Sequence, residues 1–131
     1  MDKNKNRTLE LLMLTKFGMA IRKIRIDRNM KLGDMAKGMQ VTSAYLSAVE
    51  NGKKKLTNEL VEKVSNFLEL SEEDRTEINE AAALSQQEFN ISIKDEDSDV
   101  LRTTVGALAR RIESSNLNDE DAKAILKILK G

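Results

Sequence analysis

Apolar residues return at helical spacing along most of the chain. From Leu9 they fall at Leu9, Met13, Phe17, Ile21 and Ile24, in steps of four or three, which predicts a helix ending near Arg28 or Asn29. Thr15 offers an N-cap inside that run, so two consecutive helices satisfy the same pattern. Met30 to Met39 predicts a short, weak helix, because Gly33 and Gly38 each cost about 1 kcal/mol relative to alanine in a helix interior. Thr42 is placed to accept an orphan backbone N–H at the start of a helix from Ser43 to about Asn51. Gly52 follows where a helix end calls for a left-handed residue. Asn58 to Glu69 reads as a helix with Leu60, Val61, Val64, Phe67 and Leu68 inward, and Ser71 with Asp74 starts a fifth helix that runs to about Leu84.

Beyond that point the period changes. In FNISIK, Phe89, Ile91 and Ile93 alternate with polar residues, a strand signature. A lone strand leaves its backbone groups unsatisfied, so it requires a partner elsewhere in the chain or in a second copy. From about Ser98 to Ser114, Leu101, Val105, Leu108 and Ile112 are spaced four, three and four. Asn118 caps a last helix, with Asp119, Glu120 and Asp121 at its positive end and Lys127 and Lys130 at its negative end. The expected fold class is all-α: five helices, then a C-terminal extension with one short strand and two helices.

Composition narrows the chemistry. The 131 residues include no His and no Cys. Imidazole and thiolate metal sites are therefore excluded, as are Ser–His and Cys–His nucleophilic pairs. A carboxylate-only magnesium or glycosidase site remains conceivable. The acidic clusters Glu72–Asp74, Asp95–Asp97 and Asp119–Asp121, however, fit helix starts and loops. No enzyme, cofactor or metal is expected. No apolar run reaches the ~18 residues of a membrane span. MDKNKNR is basic, but LELLML is interrupted by Glu10 and no small-residue cleavage site follows, so no signal peptide is expected. Absence of Cys fits a reducing cytoplasm.

The formal net charge of zero hides an asymmetry. Residues 1–56 hold 13 Lys or Arg against 5 Asp or Glu, and residues 57–131 hold 9 against 17. A basic half suited to a polyanion is joined to an acidic half that faces elsewhere. The basic half contains VTSAYLSAVENGKKK, from Val41 to Lys55. A helix ending near Gly38 and another beginning at Ser43 have the separation of a helix-turn-helix. With Leu46 and Val49 inward, Ser43, Ala44, Ser47 and Ala48 line the outer face, small enough for a helix to lie deep in the major groove of DNA. Lys53, Lys54 and Lys55 follow where the DNA backbone would pass.

From Phe17 to about Leu70 the chain resembles the Xre family, the Cro and CI type of phage-repressor DNA-binding domain. The resemblance is carried by FGMAIRKIRIDRN, by Met35-Ala36 at the usual Leu-Ala position, by VTSAYLSAVENGKKK and by LTNELVEKVSNFLEL. It covers roughly 55–60 residues, less than half of the chain, and its most specific part is YLSAVENGKKK. It implies a five-helix domain whose third helix enters the major groove, usually as a dimer on a palindromic operator. Carried onto this sequence, Ser43, Ala44 and Ala48 are the main base-facing positions, with Ser47 and Tyr45 at the margin. Lys31, Lys37, Thr42, Tyr45, Lys53, Lys54 and Lys55 are the candidate backbone contacts. Arg25 and Glu50 match a salt bridge that orients the recognition helix without touching bases.

The sequence departs from the family pattern at four points. Lys31 stands in place of a small capping residue, and Leu32 in place of a polar phosphate contact. Leu56 replaces a common proline. Gln40 occupies a turn position that usually holds glycine, and because Gln tolerates positive φ poorly, a reshaped turn is expected there. None of Ser43, Ala44, Ser47 or Ala48 can make the bidentate contacts that discriminate bases best, which predicts modest direct readout and specificity from half-site spacing and DNA shape.

The expected organisation is an N-terminal extension over residues 1–12, a DNA-binding domain over 13–86 and a C-terminal extension over 87–131. MDKNKNR is either an arm that reaches DNA or a loose end. Phe89, Ile91, Ile93, Leu101, Val105, Leu108 and Ile112 are the candidate homodimer interface; alternatively these elements fold back on their own domain. The implied function is a dimeric repressor of double-stranded DNA, cytoplasmic and nucleoid-associated when bound, from a phage or mobile element. The alternative is an antitoxin whose acidic C-terminal region binds a toxin-like protein.

Overall fold

The structure is a computed structural model and describes residues 13–131. The expectations for residues 1–12, including the MDKNKNR arm, lie outside the described residues. The chain divides after Asn90 into two compact units, the second being Ile91–Gly131.

Among the described residues, the first unit holds five helices of a full turn or more: α1 Lys16–Asp27, α2 Leu32–Gly38, α3 Ser43–Glu50, α4 Asn58–Phe67 and α5 Glu72–Ser85. Side-chain oxygens start four of them. Thr15, Thr42, Thr57 and Ser71 each accept from the backbone N–H three residues on. At α2 the cap is reversed: the Asp34 carboxylate accepts from the Lys31 backbone N–H at 3.2 Å. The core joins all five helices, with Phe17 and Ile21 of α1, Met35 and Ala36 of α2, Leu46 and Val49 of α3, Val64 of α4 and Ile78 of α5 nearly or wholly withdrawn from solvent. The chief packing is α1 on α5, α2 on α3, α4 on α5 and α1 on α3. Ser85 Oγ accepts from the Phe17 backbone N–H at 3.0 Å, satisfying an orphan donor of the first turn of α1 from the end of α5.

The second unit holds α6 Asp99–Glu113 and α7 Asp119–Lys130, capped by Ser98 and Asn118. Arg111 ties the turn between them, bonding the Asn116 carbonyl at 2.9 Å and the Asp121 carboxylate at 3.3 Å. Neither helix buries a residue.

Two expectations are corrected. Phe89, Ile91 and Ile93 form no strand, and the described residues contain none. Alternation over three apolar positions creates a strand only where a neighbouring ladder accepts it, and no described segment offers one. Residues 94–97 close a turn instead: Lys94 N–H bonds the Asp97 carboxylate at 2.9 Å, and Arg102 bonds the Lys94 carbonyl at 2.6 Å. The turn after α2 is also not reshaped. Gln40 adopts φ 60°, and the Val41 N–H bonds the Ala36 carbonyl at 3.0 Å, the long bond of a Schellman end. Gln40 is exposed, so no packed neighbour opposes its left-handed backbone.

Candidate nucleic-acid interface

The helix α3 presents its face because of what anchors its other side. Leu46 and Val49 are buried, and the Thr42 hydroxyl accepts from the Tyr45 N–H at 3.0 Å. Thr42, Ser43, Ala44 and Tyr45 are therefore exposed along the first turn, while Ser47 and Ala48 are half-buried one turn later. The exposed end is the positive end of the helix dipole.

The last residue of α3 is held from α1 in two ways. Arg25 and Glu50 form a bidentate pair, Nη1 to Oε2 and Nη2 to Oε1, both at 2.8 Å. Arg25 is 7% and Glu50 3% exposed, so the pair lies inside the protein and not on its rim. Burial makes its net contribution to stability small but its geometry strict, because either charge alone would be stranded. The Glu50 backbone carbonyl in turn accepts from the Thr15 N–H at 2.9 Å and from the Thr15 hydroxyl at 3.1 Å. The negative end of α3 thus meets the positive start of α1. The helices approach so closely that a Cβ at Gly18 would overlap the Glu50 carbonyl oxygen.

Lys31, Lys37, Lys53, Lys54 and Lys55 are all exposed. Lys55 Nζ lies 3.1 Å from Glu88 Oε2, with both side chains largely in solvent. The bond from the Lys53 N–H to the Ala48 carbonyl at 2.8 Å, with Gly52 at φ 78°, turns the chain sharply out of α3 and starts the lysine loop beside that helix.

Ser47 lines a groove with Arg22, Ile26, Met30, Leu32 and Asn51, above the Arg25–Glu50 pair. Arg22 and Asn51 are cationic and amide groups next to the outer face that the sequence pattern did not single out. Their signal was present: Arg22 sits one turn before Arg25, and Asn51 one turn after Ser47. Thr15 was legible only as a cap, since its tie to Glu50 spans 35 residues.

The residues expected at a dimer seam are divided. Phe89 falls in the first unit, and Ile91, Ile93, Leu101, Val105, Leu108 and Ile112 fall in the second. Phe89, Ile91, Leu101 and Ile112 are exposed, and Ile93, Val105 and Leu108 are half-buried. Among the described residues no group of three or more His, Cys, Asp or Glu could hold a metal ion, and no helix is long and apolar enough to cross a membrane.

Residues 21–74 match the family model described as Helix-turn-helix. No curated protein and no solved structure matched the chain.

Proposed function

We propose, from the premise that residues 21–74 are a helix-turn-helix domain of the Xre type in a DNA-binding regulator, that this chain is a dimeric repressor acting on a palindromic operator. The carrying observation is α3: a solvent-facing set of Thr42, Ser43, Ala44 and Tyr45, held by the buried Arg25–Glu50 pair and followed by Lys53, Lys54 and Lys55. Ser43, Ala44, Ser47 and Ala48 face the bases, and Lys31, Lys37, Thr42, Tyr45 and the lysine loop meet phosphates. Phosphate contacts supply affinity and register. Small base-facing residues supply only modest direct readout, chiefly methyl contacts from alanine and single hydrogen bonds from serine.

Repression would be steric, with the dimer covering promoter DNA in the cytoplasm of a cell carrying a phage or mobile element. The residue 87–131 extension joins the two copies, which sets the spacing of the half-sites. An antitoxin role through an acidic C-terminal region has less support, because residues 91–131 hold 7 Lys or Arg against 8 Asp or Glu and are nearly neutral.

Selection from a randomised duplex pool, followed by anisotropy across salt, tests the function. An inverted repeat with a short, loosely fixed core in each half, bound with an affinity that falls steeply with salt, is the expected outcome. Absence of any enriched site would rule out an operator-binding role for the chain acting alone, and a long, sharply fixed motif would rule out the modest readout.

A further inference from the structure

The bidentate pair with Glu50 uses two of the five N–H donors of the Arg25 guanidinium. A third meets sulfur. Nη1, which donates to Glu50 Oε2, also donates to Met35 Sδ of α2 at 3.6 Å, in a contact closed to solvent. Met35 is wholly buried, and it stands where the Xre resemblance puts leucine. Leucine fills nearly the same volume. It offers no acceptor, however, whereas a thioether is a weak one. With leucine there, a donor of a buried cation faces hydrocarbon, and no water replaces the lost bond.

We propose that Met35 is a positioning residue of the helix-turn-helix: its sulfur ties α2 to the same guanidinium that holds α3, so that one buried cation sets both helices. The chief packing of α2 is on α3, and α3 also packs on α1. The Arg25–Met35 contact closes the remaining side of this triangle, from α1 to α2, across ten residues of chain. Its consequence for binding rests on the DNA-binding reading above. Lys31 at the start of α2 and Lys37 in its last turn are candidate phosphate contacts, and α3 carries the base-facing Ser43, Ala44, Ser47 and Ala48. Phosphate contacts fix the register in which base edges are met, so the angle between α2 and α3 matters to both sets. Without the sulfur contact, the arrangement competent to bind becomes a smaller share of the population, and the apparent affinity falls by that share. The active property is the acceptor, because bulk and apolarity are the same in leucine.

The test compares Met35→Leu with Met39→Leu in the full chain. Met39 is buried in the same core, and its sulfur joins no hydrogen bond among the described residues, so it reports the same chemical change without the contact. Both are made again in the Arg25→Met/Glu50→Leu background, where the sulfur has no donor to meet. Urea denaturation and anisotropy on a mixed-sequence duplex at low salt are read for each chain. Met35→Leu should lower the urea midpoint further than Met39→Leu does. It should weaken duplex binding by about threefold to tenfold, the worth of one modest hydrogen bond, while Met39→Leu leaves binding level. In the background without the pair, Met35→Leu and Met39→Leu should be alike. Should that background fail to fold, solvent exchange of the Arg25 Nη hydrogens, followed by nuclear magnetic resonance, decides in its place: it should quicken in Met35→Leu and stay level in Met39→Leu. A Met35→Leu chain that matches Met39→Leu in stability and binding, or that loses as much without the pair as with it, or whose Arg25 hydrogens exchange no faster, would overturn the proposal. A wild-type chain that binds no duplex would strike the proposed function, and the urea comparison would still decide the sulfur contact.

Discussion

Gln40 holds φ 60° with its side chain in solvent, between the two helices of the helix-turn-helix. A left-handed backbone costs an L-residue about 1–2 kcal/mol, while glycine in its place gives back about 0.5–1 kcal/mol in chain entropy. The first term is larger, so Gln40→Gly should stabilise the first unit by roughly 0.5–1 kcal/mol. Urea denaturation reads this directly, and a midpoint that stays level or falls would show that Gln40 makes a compensating contact. The buried pair obeys a different balance. Removing one partner, in Arg25→Met or Glu50→Leu, strands the other charge and should cost about 3–5 kcal/mol. The double variant strands neither and should cost much less than the sum. Additive losses in the double-mutant cycle would show that Arg25 and Glu50 are not coupled as their two 2.8 Å contacts require.

Helix ends explain what could and could not be read from the residues. Starts were visible, because Thr42, Ser71 and Asn118 announce themselves by side chains that bond their own neighbours. Ends were visible in position, where the apolar period stops, but not in how they close: among the described residues α1, α2, α3, α4 and α6 close on a left-handed residue, at Asn29, Gln40, Gly52, Glu69 and Ser115, and of these five only Gly52 is a glycine. The supposed strand at Phe89, Ile91 and Ile93 failed because alternation marks a strand only where a second strand lies beside it. The fixing of α3 was hidden for a related reason: Thr15 and Gly18 act on Glu50 across the chain, and their neighbours in sequence do not show it. Gly18 is where that arrangement is most easily broken. A methyl group there meets the Glu50 backbone carbonyl, which cannot move without moving α3. Gly18→Ala should therefore cost about 1–3 kcal/mol as an overpacked contact, and should weaken DNA binding at temperatures where the chain is still folded. Unchanged affinity in a folded, destabilised variant would mean that the placement of α3 does not depend on this approach.

Charge is laid out over the whole molecule in three parts. Residues 1–56 carry the excess of cations, residues 57–90 hold 9 Asp or Glu against 2 Lys or Arg, and residues 91–131 are near balance. On the proposed DNA-binding reading, this layout favours approach of a polyanion to the lysine-bearing segments over α4 and α5, before any base contact forms. The Lys55–Glu88 pair bears on whether the third lysine of the loop shares in this. Both side chains are largely in solvent, at 81% and 66% exposure, and pairs of that kind contribute about 0–1 kcal/mol. A phosphate offers Lys55 a stronger field than one carboxylate and releases counterions as it binds. Glu88 should then yield Lys55 to DNA. Lys53→Ala, Lys54→Ala and Lys55→Ala are each expected to weaken binding across all duplex sequences and to lower the slope of log affinity against log salt by about one. A Lys55→Ala chain that keeps the wild-type slope, while Lys53→Ala loses its share, would show that Glu88 holds Lys55 away from the phosphates. In that case Glu88→Gln should steepen the slope where Lys55 is present and leave it unchanged where Lys55 is alanine.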